Sequence, residues 1–355
     1  MKAIISGTGS ALPNKVIKNA DFIHHTFYDK NKKPLEKSGS DIIQKLESIT
    51  GITERRYILD DEDSIPLMTA AAKATLANAG LAPNDLQGII VAHNAGNMLQ
   101  DNKGYHSIPN LAALLKNALN VSSYQCFAYD ILMGCPGWLQ AIITAKQILA
   151  DDDSCHNILV LGIEVASRFL DPHDLDSMIL ADGSGACVIS RGDVAHVGIL
   201  STATFSHALE DISCIYQGDS NSKDQNGHAF FKMNGRDVYK YATTWVPKVI
   251  KQALDKAGKS LEDVDLFLFH QANAKLLSAI ANNLAVLYDN KDYSFEGKIP
   301  STIEFLGNTS VATIPTMLDL IRKDKLKGYE INRGSLVVMA SVGAGMHCNA
   351  VVYQF

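Results

Sequence analysis

Residues 71–92 read AAKATLANAGLAPNDLQGIIVA, and residues 249–270 read VIKQALDKAGKSLEDVDLFLFH. At a fixed offset, Lys73, Leu76, Ala79, Gly80 and Asp85 meet Lys251, Leu254, Ala257, Gly258 and Asp263. Each copy is an amphipathic helix, an Ala-Gly stop, a polar loop and a short apolar run. Glycine at the helix end fits a left-handed C-cap. The runs Gly88–Ala92 and Leu266–Phe269 are apolar throughout, as strands of a sheet covered on both faces are. Helix and strand patterns alternate along the rest of the chain, which predicts α/β architecture. The repeat predicts a duplication that divides the chain into 1–194 and 195–355. Each half is expected to hold one sheet, with shared helices between them.

Composition narrows the function. The chain has 355 residues, enough for one large core or two fused units. Its formal net charge of −6 offers no basic face for nucleic acid. Six cysteines lie at 126, 135, 155, 187, 214 and 348, with no CxxC pair and no zinc spacing, so no metal site is expected. The apolar start, Met1–Gly7, is too short for a signal peptide, and no apolar run reaches the roughly 18 residues of a membrane span. A reducing, cytoplasmic setting is the expectation. Two polar stretches read as loops, Tyr28–Ser40 and Gly218–Gly227.

Three polar positions sit where α/β proteins place chemistry. Cys135 lies in Met133-Gly134-Cys135-Pro136-Gly137-Trp138, between a strand-like segment and the helical pattern LQAIITAKQILA. Proline suits a helix's first turn, and the positive end of a helix favours a thiolate. A buried structural cysteine is the competing reading. His270 ends the apolar strand 266–269 and opens His270-Gln271-Ala272-Asn273. It too could be a strand-end histidine bonded to a loop. His93 ends the corresponding strand one residue later and is taken as structural. Asn308 lies in Gly307-Asn308-Thr309-Ser310, which by itself is a turn and N-cap pattern. Ser341-Val342-Gly343-Ala344-Gly345 is a glycine loop between two strands, able to form a hairpin turn or an anion pocket.

Taken together, in order and spacing, these elements resemble β-ketoacyl-acyl carrier protein synthase III, over nearly the whole chain. Gly51-Ile52-Thr53-Glu54-Arg55-Arg56 looks like the family's early Gly-Ile-x-Glu-Arg-Arg element. Ala181-Asp182-Gly183-Ser184-Gly185-Ala186 resembles its Asp-Gly-Ala-Gly turn, and Met233-Asn234-Gly235 its Met-x-Gly element. The resemblance implies a thiolase-like fold, two duplicated halves with mixed sheets in αβαβα layers. It implies a decarboxylative Claisen condensation of an acyl group on Cys135 with a malonyl- or 3-ketoacyl-carrier-protein unit, as in fatty-acid or aryl-polyketide biosynthesis. His270 and Asn308 would stabilise the developing charge, and the peptide N–H groups of Cys135 and Ala344 would hold the oxyanion. No bound cofactor is implied: substrates arrive on the phosphopantetheine of an acyl carrier protein or coenzyme A. Lys275, with Lys251 and Lys256, would dock the acidic carrier. A homodimer is implied as well.

The chain departs from the family at three coenzyme A contacts. A Trp and an Arg of coenzyme-A-primed members are replaced by Lys45 and Ile49, and a further Arg by Leu175. None of these replaces aromatic stacking or a guanidinium fork. Such variation is typical of secondary-metabolism relatives, including dialkylresorcinol-type ketosynthases. A thiolase needs a second cysteine where Ser341-Val342-Gly343 stands. The alternatives left open are a catalytically degenerate partner subunit and an acyl-enzyme hydrolase.

Overall fold

The computed structural model describes residues 2–99, 104–192, 194, 196–223 and 229–355. The end of the second polar loop, 224–227, and Ala195 at the expected boundary therefore lie outside the described residues.

The first half supplies strands β1 (Lys2–Ala11), β2 (Gly88–His93), β3 (Phe127–Leu132), β4 (Asn157–Val165) and β5 (Asp182–Gly192). Helices α1 (Ser64–Ala79) and α2 (Gly137–Asp151) connect them. The second half supplies β6 (Gly198–Ser206), α3 (Gly235–Ala257), β7 (Leu266–Phe269), α4 (Ala274–Leu287), α5 (Thr313–Arg322), β8 (Leu336–Gly343) and β9 (His347–Gln354). The first sheet runs β1-β5-β4-β2-β3 and the second β6-β9-β8-β7. Their pairing sense also repeats. The β1–β5 and β5–β4 pairs are antiparallel and β4–β2 parallel. The β6–β9 and β9–β8 pairs are antiparallel and β8–β7 parallel. The helix stops of the repeated stretch are left-handed, with Gly80 at φ 67° and Gly258 at φ 64°.

Strand alternation explains the layers. Ile90 and Ala92 of β2 face inward, with Trp138 and Ile142 of α2 and Met317 and Ile321 of α5. Leu268 of β7 and Met339 of β8 close the same core from the second sheet. Ile89 and Val91 face the other way, onto Met68 and Leu76 of α1. Phe267 and Phe269 likewise face Ile250 of α3 and Ile280 of α4. The result is five layers, helix–sheet–helix–sheet–helix, a thiolase-like fold. The expected glycine turn at 181–186 is instead strand, the start of β5. Continuous burial there selects sheet, because β4 and β1 pair on both sides. Among the described residues no helix is long and apolar enough to cross a membrane.

The loop 28–40 is fastened down. Tyr28 N–H donates to His173 O at 3.0 Å, Lys30 Nζ to Asn234 Oδ1 at 2.9 Å, and Leu35 packs with Phe22, Phe27 and Ile42.

Candidate active site

Cys135 sits just before helix α2, whose N-cap is Pro136. Gly134 holds φ +62°, and a Cβ there would come within 2.6 Å of Ala344 N. A Cβ on Gly343 would lie 2.5 Å from Cys135 N. The Cys135 turn and the glycine loop therefore touch backbone to backbone, and only glycine permits the approach. The two peptide groups assigned to the oxyanion lie on these touching turns.

His270 follows β7, and its N–H donates to Ala340 O at 2.9 Å, which extends the β7–β8 ladder by one bond. The other motif residues explain its placement. Gln271, fully buried, donates to Phe269 O at 3.0 Å and accepts from Ser301 Oγ at 3.0 Å. That ties the strand end to the segment leading to Asn308. Asn273 caps α4, accepting from Leu276 N–H at 2.8 Å.

Asn308 follows Gly307, whose φ of +63° and close neighbour Arg55 demand glycine. Asn308 Oδ1 accepts from Ser310 N–H at 2.9 Å. The oxygen is thereby committed to the backbone, and the amide N–H₂ is the side chain's remaining donor. The Gly51–Arg56 element supports this turn from behind. Thr53 Oγ1 donates to Glu304 O at 2.9 Å, and buried Arg55 donates to Met178 O at 2.8 Å.

Cys135, His270, Asn308 and Ala344 line one cavity of about 370 Å³. Phe169, Leu180, Phe231, Met233, Ala272 and Leu276 contribute apolar wall. Burial pushes the Cys135 thiol up to about 12, and the Glu164 carboxyl pushes the same way, against the Ser310 hydroxyl. Loss of water around the sulfur opposes the thiolate that a helix start favours. Burial also lowers His270 to about 4, so its ring is neutral, and its Nδ1 has no hydrogen-bond partner. A neutral imidazole can donate a hydrogen bond without carrying charge into the site.

The cavity holds residues that the sequence reading passed over. Glu164 is the last residue but one of β4 and is 2% exposed, Asn94 follows β2, and His347 opens β9. Glu164 could have been flagged by the argument used for His270, a polar residue closing an apolar strand. His93 is structural, as expected. Gly96 N–H donates to its Nδ1 at 2.9 Å, which leaves Nε2–H to donate to Asp130 at 2.9 Å.

The three lysines do not form one cluster. Lys275 is exposed between Ala272 and Leu276 of the cavity wall. Lys251 pairs with Asp255 at 3.0 Å and lies over the Tyr288 ring, at the far end of α4 and so roughly 20 Å away. Lys256 donates to Thr202 O at 3.2 Å. Leu175 packs with Met178 and Leu46, so the position of the family's Arg is part of an apolar cluster. Lys45 and Ile49 are exposed on the helix Gly39–Thr50. No group of three or more metal-ligating side chains occurs among the described residues.

Comparison with known proteins agrees with this geometry. Family models described as 3-oxoacyl-[acyl-carrier-protein] synthase III match residues 129–208 and, for its C-terminal part, 254–355. A β-ketoacyl-[acyl-carrier-protein] synthase III of Mesorhizobium japonicum is 31% identical over 360 aligned positions, covering all of both chains. The chain belongs to the β-ketoacyl-acyl carrier protein synthase III family. The crystal structure of a synthase III from Aquifex aeolicus covers 99% of this chain and 100% of its own, with 28% identity and a TM-score of 0.81. The priming β-ketosynthase of the R1128 polyketide pathway shares the fold, at TM-score 0.80 and 21% identity, over 99% of this chain and 96% of its own. Membership of the synthase III family makes the protein a condensing acyltransferase.

Proposed function

We propose that Cys135 carries the acyl group as a thioester and that His270 and Asn308 promote its condensation with a malonyl or 3-ketoacyl unit on a carrier protein. The observation that supports this is convergence: three residues from three separate elements line one largely apolar cavity beside touching glycine turns. The donor thioester enters, and Cys135 Sγ displaces the pantetheine thiol. The malonyl unit then loses carbon dioxide. The Asn308 amide and the His270 ring donate to the thioester oxygen as it becomes an enolate. The carbanion attacks the acyl-cysteine, whose oxygen is held by the N–H groups of Cys135 and Ala344. Donors fixed before the charge develops need no reorganisation when it appears.

A carrier protein or an unusual thioester is proposed to donate the acyl group more readily than coenzyme A, because Lys45, Ile49 and Leu175 replace the adenine-end contacts expected from the family. The lack of nucleotide contacts should raise KM for acyl-coenzyme A rather than slow the chemistry. Lys275 is the docking cation retained in this reading, with Lys251 and Lys256 peripheral. The halves 1–194 and 195–355 are proposed as the duplicated units, nucleophile in the first, His and Asn in the second. The protein is proposed to be a cytoplasmic homodimer. Strand β3 is the outer strand of its sheet, and Leu132 on it is 69% exposed. An unpaired edge beside an exposed apolar side chain is a surface that pairing would cover.

Incubation with acyl-carrier protein and malonyl-carrier protein, read by mass spectrometry, tests the reading. Acyl mass on Cys135 alone, followed by a 3-ketoacyl product, is expected. Acyl mass on Cys126 or Cys348, or release of free acid without product, would overturn it.

A further inference from the structure

We propose that Glu164 accepts the proton of Cys135, relayed by the Ser310 hydroxyl, as the sulfur attacks the incoming thioester. This rests on Cys135 being the nucleophile. Cys135 contacts Ser310, and Ser310 and Glu164 share one amide donor. Cys135 Sγ and Ser310 Oγ are 3.3 Å apart. One amide, Asn94 Nδ2, donates to Ser310 Oγ at 2.8 Å and also to Glu164 Oε2. A hydroxyl has one donor and two acceptor sites. With Asn94 and the thiol S–H on the acceptor sites, the Ser310 O–H is left to donate toward the carboxylate. The Ser310 hydroxyl is also among the groups that hold the Glu164 carboxyl down. All four residues line the cavity.

The surrounding chemistry gives this base a task. The buried thiol ionises only near 12, so free thiolate is scarce at neutral pH. A base that removes the proton during attack makes it unnecessary. Burial raises Glu164 to about 7, with Asp182 adding to the rise and Asn94, Ser310 and His93 opposing it. A carboxylate poised there is ionised at the alkaline side of neutral and is far more basic than an ordinary one. His270, at about 4, is the weaker base. Ser310 itself holds φ +51°, in the left-handed region, fixed by its N–H bond to Asn308 Oδ1. The turn that aims the Asn308 amide at the cavity thus also aims the Ser310 hydroxyl at the sulfur.

The step balances. The S–H bond of Cys135 breaks and its proton passes to Ser310 as the Ser310 proton passes to Glu164. The sulfur forms a bond to the thioester carbonyl carbon, and the carbon–sulfur bond to pantetheine breaks. The departing sulfur takes a proton back through Ser310, which restores the Glu164 carboxylate. Nothing is oxidised or reduced.

The test sets two reactions of the same sulfur against each other in Glu164→Gln and Ser310→Ala. One is single-turnover acylation by an acyl thioester. The other is alkylation by iodoacetamide, which needs only thiolate. Loss of general-base help is worth about 10²–10⁴ in rate. Acylation should fall by about that factor in both variants, and its rise with pH through about 7 should vanish in Glu164→Gln. Alkylation of Glu164→Gln at fixed pH should hold or increase, because a charge opposing the thiolate is gone. Acylation within threefold of the parent in either variant would overturn the proposal. So would acylation and alkylation falling together in Glu164→Gln, the mark of a purely structural group. Should that variant not fold, Ser310→Ala decides alone: slowed acylation with unchanged alkylation supports the relay, and unchanged acylation sinks it. A parent enzyme that never acylates Cys135 would overturn the nucleophile assignment, a different result from any of these.

Discussion

His93 and His270 close corresponding strands in the two halves, yet the fold engages their rings differently. Both are 6% exposed. His93 has both ring nitrogens engaged, Nδ1 by Gly96 N–H and Nε2 by Asp130. Asp130 also accepts from Leu111 N–H and Ala112 N–H at 2.8 Å, so it anchors the helix Leu111–Ala118. His270 has Nδ1 unpartnered and lines the cavity. Burial alone therefore does not distinguish a functional histidine. The distinction lies in whether its hydrogen-bonding capacity is used up by the fold.

The largest effect that could break this comparison is on the chemistry of the second histidine. In His270→Ala, condensation should fall about 10²–10³-fold, the usual cost of one donor to developing charge, while acylation of Cys135 falls far less. Pre-loaded enzyme and carbon dioxide release separate the two half-reactions. Equal losses in both would mean that His270 serves the thiol and not the enolate.

The same burial predicts a pH signature in stability. The folded pKa of His270, about 4, lies below the ordinary 6.5. The unfolded chain binds this proton first, so the contribution is fully present above 6.5 and is lost as pH falls from 6.5 through 4. At 1.36 kcal/mol per pKa unit the loss is on the order of 3 kcal/mol. Urea unfolding of the parent and of His270→Gln from pH 4 to 7.5 measures it: the parent's advantage should shrink as pH falls. A constant difference would show that the ring takes up its proton freely in the fold.

For His93 the expectation reverses. His93→Leu leaves Gly96 N–H without its acceptor and Asp130 without one donor, a cost of about 1–3 kcal/mol. The urea midpoint should fall accordingly, while the ratio of condensation to acylation stays as in the parent. A selective loss of condensation would erase the distinction between the two histidines.

What the sequence disclosed follows the same logic. The repeated helix–strand pattern was legible because helix period, glycine stop and buried strand are local properties, and each stretch carries all three. The different engagement of His93 and His270 was half legible: the family pattern marked one, but only tertiary contacts show that Asp130 and Gly96 engage the other. Glu164 was overlooked because ILVLGIEV reads as a buried strand whose last charge looks like a boundary. Asn94, which bonds both Glu164 and Ser310, stands 70 residues before the one and 216 before the other. Burial opposes the thiolate inferred from the helix start, and local sequence shows the dipole and not the burial. The spread of the three lysines was not legible for a similar reason. Lys251 and Lys256 already have neighbours in Asp255 and Thr202.

The smallest effect separates the lysines. Lys275 is exposed beside two cavity-lining residues, whereas Lys251 is held in an i,i+4 ion pair. An exposed cation meeting an acidic carrier is worth about 0.2–1 kcal/mol, less than a fivefold change. Lys275→Ala should therefore lower kcat/KM for the malonyl-carrier substrate about twofold to fivefold at low ionic strength. The difference should shrink as salt is raised, because the Debye length falls to about 3 Å at 1 M. Lys251→Ala should change it less, since removing that side chain removes a cation whose field Asp255 already offsets. Free malonyl-pantetheine, which lacks the carrier's acidic surface, should react equally with parent and Lys275→Ala. If it too is slowed, Lys275 acts on the pantetheine arm or the site itself, and the docking role is wrong. If Lys251→Ala matches Lys275→Ala, the carrier's footprint extends along α4 and the distance of roughly 20 Å between the two does not separate them.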